Sequence, residues 1–139
     1  MLEKNETRII EELKENSRAS VREIAKATGM RPSTVHLKIK KMKEEGVIEK
    51  FTVKLSNAKS GENFIAFLLV KTNKEIRNNL FQNPRIKEVF GITGEYDLLI
   101  KMKFSDIDEF NRFLISFRKT EGVEGTVSLV STINIKEEI

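Results

Sequence analysis

The chain has 139 residues, enough for one medium domain or two small ones, with 39% apolar and 33% charged residues. No apolar run approaches the roughly 18 residues of a spanning helix, and the absence of Cys excludes disulfides, thiolate metal sites and a Cys nucleophile. The net charge of +4 is uneven: residues 1–60 carry 14 Lys/Arg against 9 Glu and no Asp, and residues 61–139 carry 11 against 12, so the halves stand at +5 and −1. That asymmetry is expected where one half meets an anionic partner.

MLEKNETRII is charged and lacks a signal-peptide core, so a cytoplasmic protein is expected. The high charge content, with Gln82 the single Gln, leans towards heat adaptation through ion-pair networks.

Asn5 is a candidate cap for a helix over 6–16, with Ile9, Ile10 and Leu13 on one face. Ser20, with Glu23 at capping-box spacing, predicts a second helix whose apolar face is Val21, Ile24 and Ala25. Gly29 suits a left-handed terminator. A third helix starts at Pro32, at the position proline favours, and runs to Gly46. Wound at about 100° per residue, it turns Val35, Ile39 and Met42 inward. Ser33, Leu37, Lys40 and Lys41 point the other way, flanked by Thr34, His36 and Lys38. The β-rich stretch 47–53 follows as a candidate wing.

Two helices joined by a tight turn, the second basic and outward-facing, predict a helix-turn-helix whose second helix enters a DNA major groove, with a structural or protein-docking three-helix unit as the alternative. The expected DNA-binding set is Ser20, Arg31, Ser33, Thr34, His36, Leu37, Lys38, Lys40 and Lys41. Short hydroxyls near the helix start touch bases or phosphates, and the lysines neutralise phosphates. Two readings of Leu37 stand: contact with a thymine methyl, or packing on a neighbouring element. His36 is the only His, so a metal cluster has no material and no cofactor is expected.

After a polar connector at 54–63 the pattern changes. FIAFLLVK (64–71) reads as a strand, 74–83 as a short helix stopped by Pro84, 85–92 as a strand, TGEY as a turn and 97–104 as another strand. Leu98, Ile100, Met102 and Phe104 alternate onto one face. Ser105, with Asp108 at capping-box spacing, is the expected cap of a helix carrying Phe110, Phe113, Leu114 and Phe117 as its buried stripe. Residues 122–136 read as a last strand.

This βαββαβ order predicts a ferredoxin-like domain, and an α+β chain divided as 1–53, 54–63 and 64–139. Two helices cover one sheet face. The first strand is apolar on both sides, with Ile65, Phe67 and Leu69 on one and Phe64, Ala66, Leu68 and Val70 on the other, so the uncovered face is apolar whichever it is. Such a face calls for a second copy, so a homodimer is expected, and with it two recognition helices for a palindromic double-stranded site. Glu95 and Asp97 offer acceptors for an ammonium group, and Thr93 and the Gly94 amide offer donors for a carboxylate. The same pattern also makes a plain hairpin turn, its commoner use.

RIIEELKENSRASVREIAKATGMRPSTVHLKIKKMKEEGVIEKFTV, VFGITGEYDLLIKM and EGVEGTVS, in this order and spacing, resemble the Lrp/AsnC family of leucine-responsive and asparagine regulators over nearly the whole chain. The resemblance implies a winged or extended helix-turn-helix joined to a ferredoxin-like regulatory domain. It implies dimers through the sheet, often assembled into octamers, and transcription regulation in response to an amino acid or related metabolite. It implies an effector site between dimers at Thr93, Gly94, Glu95, Tyr96 and Asp97, with a contribution from Ser128 to Thr132. Arg31, where members commonly carry Ser, and Leu37, where a basic residue is common, bear on which operator is read.

An architectural DNA-binding protein with little sequence preference and no effector is the alternative. The strand YDLLIKMKF lacks the aromatic and glycine pattern that stacks RNA bases. No nucleophile–base pair or phosphate-binding glycine loop is present, so an enzyme is not expected.

Overall fold

The computed structural model describes residues 1–139, in two compact units, Met1–Lys54 and Leu55–Ile139.

The first unit holds α1 (Lys4–Glu15), α2 (Val21–Thr28) and α3 (Pro32–Glu44). Ile9, Ile24, Ala25, Val35 and Met42 form its core, with Ile39 and Ile48 partly buried against them. Ser20 caps α2 as the capping-box spacing requires: its hydroxyl accepts from the Glu23 N–H at 3.1 Å, and its N–H donates to Glu23 Oε2 at 2.6 Å. Gly29 closes α2 in the left-handed conformation, φ 71°. The start of α1 differs from expectation. Glu3, not Asn5, stands at the cap, and its N–H donates to Glu6 Oε2 at 3.0 Å. Glu6 is 5% exposed, so its tertiary surroundings set the helix start. Residues 47–53, the expected wing, run without a strand ladder; the Thr52 carbonyl accepts from the Ser17 hydroxyl at 3.2 Å.

The second unit is an antiparallel sheet of β1 (Phe64–Thr72), β2 (Ile86–Gly91), β3 (Leu98–Phe104) and β4 (Val123–Val130), in the order β2-β3-β1-β4, with α4 (Ile107–Arg118) packed on it. Ala66, Leu68 and Val70 of β1 and Ile100, Met102 and Phe104 of β3 meet Phe110, Leu114 and Phe117 of α4 in one core. Phe104 lies between the rings of Phe110 and Phe113, at 5.6 and 5.4 Å. The opposite face is lined by Phe67 and Leu69 of β1, whose cross-strand partners Leu129 and Val127 of β4 are 49% and 38% exposed.

Three expectations are corrected here. The helix expected over 74–83 is a 3-10 turn, Asn78–Gln82. Its two Asn compete for local backbone hydrogen bonds, and Pro84 holds Asn83 extended, φ −58° and ψ 124°. Asp106, not Ser105, caps α4: its carboxylate accepts from the Glu109 N–H at 2.8 Å, while the Ser105 N–H and hydroxyl both donate to Glu109 Oε2. Those bonds, with Arg85 Nε at 2.8 Å, hold the Glu109 carboxyl below its ordinary pKa. The last strand ends at Val130 and not at 136. Its partner β1 begins at Phe64, so beyond the Ser131 N–H bond to the Ile65 carbonyl there is no strand to pair with.

Candidate DNA-binding face and effector turn

Opposite Val35 and Met42, α3 presents Ser33, His36, Leu37 and Lys40, all exposed and spaced to lie on one stripe. Arg31 just before the helix is exposed, and Thr34 is half-buried beside the stripe. Leu37 is 63% exposed and stands outside the hydrophobic core of its unit, which removes packing within that unit as its role.

The lysines divide. Lys38 Nζ lies 3.0 Å from Glu3 Oε2, and Lys41 Nζ lies 3.4 Å from Glu6 Oε1 and 4.0 Å from Glu45. Glu45 and Glu6 raise the Lys41 pKa above its ordinary value. Glu6 is held below its own by the Glu3 N–H, against the effect of burial, with Lys41 adding to the fall. Lys43 donates to the Glu49 carbonyl at 3.0 Å and stands over the Phe51 ring at 5.7 Å. Lys40, with a side chain 64% exposed, has only Glu44 at 4.0 Å, one turn on. Arg31 makes no ion pair. The hydroxyl of Ser20 accepts the capping bond and keeps its own proton available to donate at the start of α2. Arg22 and Lys26, exposed on α2 and unpaired, are further cations that the sequence reading missed; helical spacing from the buried Ile24, Ala25 and Thr28 identifies them as outward.

In the second unit, Thr93, Gly94 and Glu95 are exposed at the tip of the β2–β3 turn and Tyr96 is half-buried. Gly94 takes φ 106°, which only glycine adopts without strain. Asp97 is also exposed, but its carboxylate is engaged at the sheet end. Its Oδ2 accepts from the Thr72 N–H at 2.7 Å and the Thr72 hydroxyl at 3.1 Å, and its N–H donates to the Val70 carbonyl at 2.9 Å. Asp97 therefore ties the turn to the end of β1.

Within one chain, the end of β4 next to Thr132 lies away from this turn, and Ser128 lies nearer to it. Ser128 pairs across from Leu68, with its Oγ buried and unpartnered, and Ser131 bonds to Ile65 at the opposite end of β1 from Val70. At about 3.4 Å per residue, that separation is roughly 17 Å. The sequence reading also missed Glu137. This carboxylate from the C-terminal segment meets Lys101 at 2.5 Å, Lys103 at 2.8 Å and Asn57 at 3.3 Å, closing the segment over the sheet beside Ile65 and Phe67. No group of His, Cys, Asp or Glu suited to a metal ion is present, and no helix is long and apolar enough to cross a membrane.

Residues 2–49 match a winged helix-turn-helix DNA-binding model, and residues 65–139 match the Lrp/AsnC ligand-binding domain. The chain is 37% identical over 134 residues to HTH-type transcriptional regulator FL11 of Pyrococcus furiosus, covering 94% of this chain and 89% of the relative. It is also 37% identical over 147 residues to an HTH-type transcriptional regulator of Pyrococcus horikoshii, covering 100% and 98%. Among solved structures, transcriptional regulator NMB0573 of Neisseria meningitidis in complex with L-Met superimposes with a TM-score of 0.90 at 24% identity, covering 99% of this chain and 94% of that one. LrpC of B. subtilis does so with a TM-score of 0.88 at 20% identity, covering 99% of both.

Proposed function

Since the chain belongs to the Lrp/AsnC family, DNA-binding transcription regulators with a small-molecule-binding domain rather than enzymes, we propose that it reads a specific, pseudo-palindromic operator as a homodimer and responds to an amino acid or a related small metabolite. The observation that carries the reading is the outward stripe of Ser33, His36, Leu37 and Lys40 on α3. A hydroxyl, an imidazole and an apolar side chain discriminate base edges, whereas a surface made only for phosphates needs none of them. This favours operator reading over architectural binding without sequence preference.

The dimer follows from the face opposite α4, where Phe67, Leu69, Val127 and Leu129 form an apolar surface continued by Phe90, which is 53% exposed. Further assembly to an octamer accords with the effector turn. Thr93 to Asp97 and the Ser131–Thr132 end of the last-strand set lie too far apart in one chain to share a small ligand, so a pocket using both needs another copy. Thr93, Gly94 and Glu95 are the exposed groups for a carboxylate and an ammonium; Asp97 holds their turn in place. An amino acid as the class of ligand draws support from the L-Met complex of the Neisseria relative. The charge-rich composition and the Pyrococcus relatives support a heat-adapted archaeal source and a cytoplasmic location.

The test is fluorescence anisotropy with the protein's own upstream DNA and a scrambled duplex, across a salt series, with and without mixed amino acids. A preference for the upstream DNA that shifts with the mixture is expected. Leu37→Ala or Ser33→Ala should alter the preference by about 1–3 kcal/mol at one base pair. Equal, steeply salt-dependent binding to both duplexes with no ligand effect would overturn the reading.

A further inference from the structure

The helix-turn-helix carries an arrangement that binding DNA does not require. Glu3 and Glu6 are three residues apart at the start of α1, and Lys38 and Lys41 are three residues apart on α3. Both pairs are formed, so two carboxylates stand against two recognition-helix lysines in register, one helical turn against another.

The two pairs differ in strength. Glu3 is 63% exposed, and its contact with Lys38 resembles an ordinary surface ion pair. The Glu6 side chain is only 6% exposed and both of its oxygens are engaged, Oε2 by the Glu3 N–H and Oε1 by Lys41. Taking Lys41 away would leave a desolvated carboxylate with one partner, which is costly. A DNA phosphate must compete with that carboxylate for the ammonium group. A phosphate gains little from a lysine that is already neutralised, because counterion release counts only cations that arrive free.

We propose that Glu3 and Glu6 withhold Lys38 and Lys41 from DNA phosphates, Glu6 more firmly than Glu3, so that α3 meets DNA with Arg31 and Lys40 as its cations. Withholding lowers affinity for all sequences alike and leaves the base-reading stripe untouched, so it weakens retention on non-specific DNA without changing the ratio of specific to non-specific binding. The acids act through the lysines and touch no DNA themselves; they are positioning residues. The inference rests on α3 being the DNA-contacting helix.

The experiment measures the slope of log K against log salt for the full-length protein on a scrambled duplex. Glu6→Gln should free Lys41 and steepen the slope by about 0.9. The variant then loses about 3.5-fold more affinity than the parent between 50 and 200 mM salt. Adding Lys41→Gln to Glu6→Gln should return the slope to that of the parent. Glu11→Gln, on an exposed residue of α1 outside these pairs, adds the same charge and should leave the slope unchanged. Lys41→Gln in the parent background should also leave it unchanged, which keeps a readout if Glu6→Gln does not fold. A slope in Glu6→Gln equal to that of the parent would overturn the proposal. So would a shallower slope in Lys41→Gln, or an equal gain from Glu11→Gln. A parent with no salt-dependent binding would instead overturn the DNA-binding role of α3 itself.

Discussion

Replacing Glu137 by Gln removes one charge and keeps the side chain's size. Its carboxylate is 9% exposed and faces Lys101 and Lys103, themselves 18% and 13% exposed, at 2.5 and 2.8 Å. Burial works to raise its pKa, but hydrogen bonds from Lys101, Lys103 and Asn57 outweigh it and bring the carboxyl from 4.5 to about 2. A fall of that size corresponds to about 3 kcal/mol as an upper bound, and solvent screening at the sheet surface reduces it to roughly 1–2 kcal/mol. The folded form holds the proton less tightly than the unfolded one. The stabilisation is therefore fully present above the unfolded value of 4.5 and is lost as pH falls through about 2. Tyr96 is the only Tyr, Trp is absent, and Tyr96 lies in the second unit, so urea unfolding followed by tyrosine fluorescence reports that unit. Parent and Glu137→Gln, compared at equal protein concentration, should differ by roughly 1–2 kcal/mol at pH 7. The difference should shrink below pH 4.5 and vanish near pH 2. A difference that stays constant to pH 2, or one under about 0.5 kcal/mol at pH 7, would refute the assignment of the tail's anchorage to this charge cluster.

Phe104→Ala should cost about 3–5 kcal/mol in the same urea experiment, because the ring is 1% exposed and stands between Phe110 and Phe113. A loss under about 1 kcal/mol would mean that the core collapses into the space. Ser20→Ala should lower the stability of the first unit by about 1 kcal/mol, read as a lower midpoint in the helical circular-dichroism melt, with Ser20→Asn restoring most of it. An unchanged midpoint would show that the Ser20–Glu23 box contributes nothing in solution.

Features with a local cause were legible in the sequence. The Ser20–Glu23 box, the left-handed Gly29, the inward Val35 and Met42, and the alternation of Leu98, Ile100, Met102 and Phe104 each depend on neighbours within a few residues. A helix repeats every 3.6 residues and a strand every two, so composition at those spacings writes the buried face directly. The motifs resembling the Lrp/AsnC family rest on the same local patterns, and the order of elements along the chain then indicated the ferredoxin-like unit.

Tertiary structure decided the rest, wherever a partner lies far along the chain. Lysine spacing alone makes Lys38, Lys40 and Lys41 equivalent cations, yet carboxylates 35 residues upstream engage Lys38 and Lys41 and leave Lys40 on the outward face. Asp97 had the chemistry of a ligand contact, and Thr72, 25 residues away, takes its carboxylate for the turn. Glu137 has no local signal in the sequence, and the fold alone sets Lys101, Lys103 and Asn57 around it. The end of β4 was fixed by where β1 begins, and not by the apolar residues that continue past it. Charge pairing and strand termination depend on what stands within a few ångströms, and a linear pattern of residue types carries that distance only when the chain itself is short between the partners.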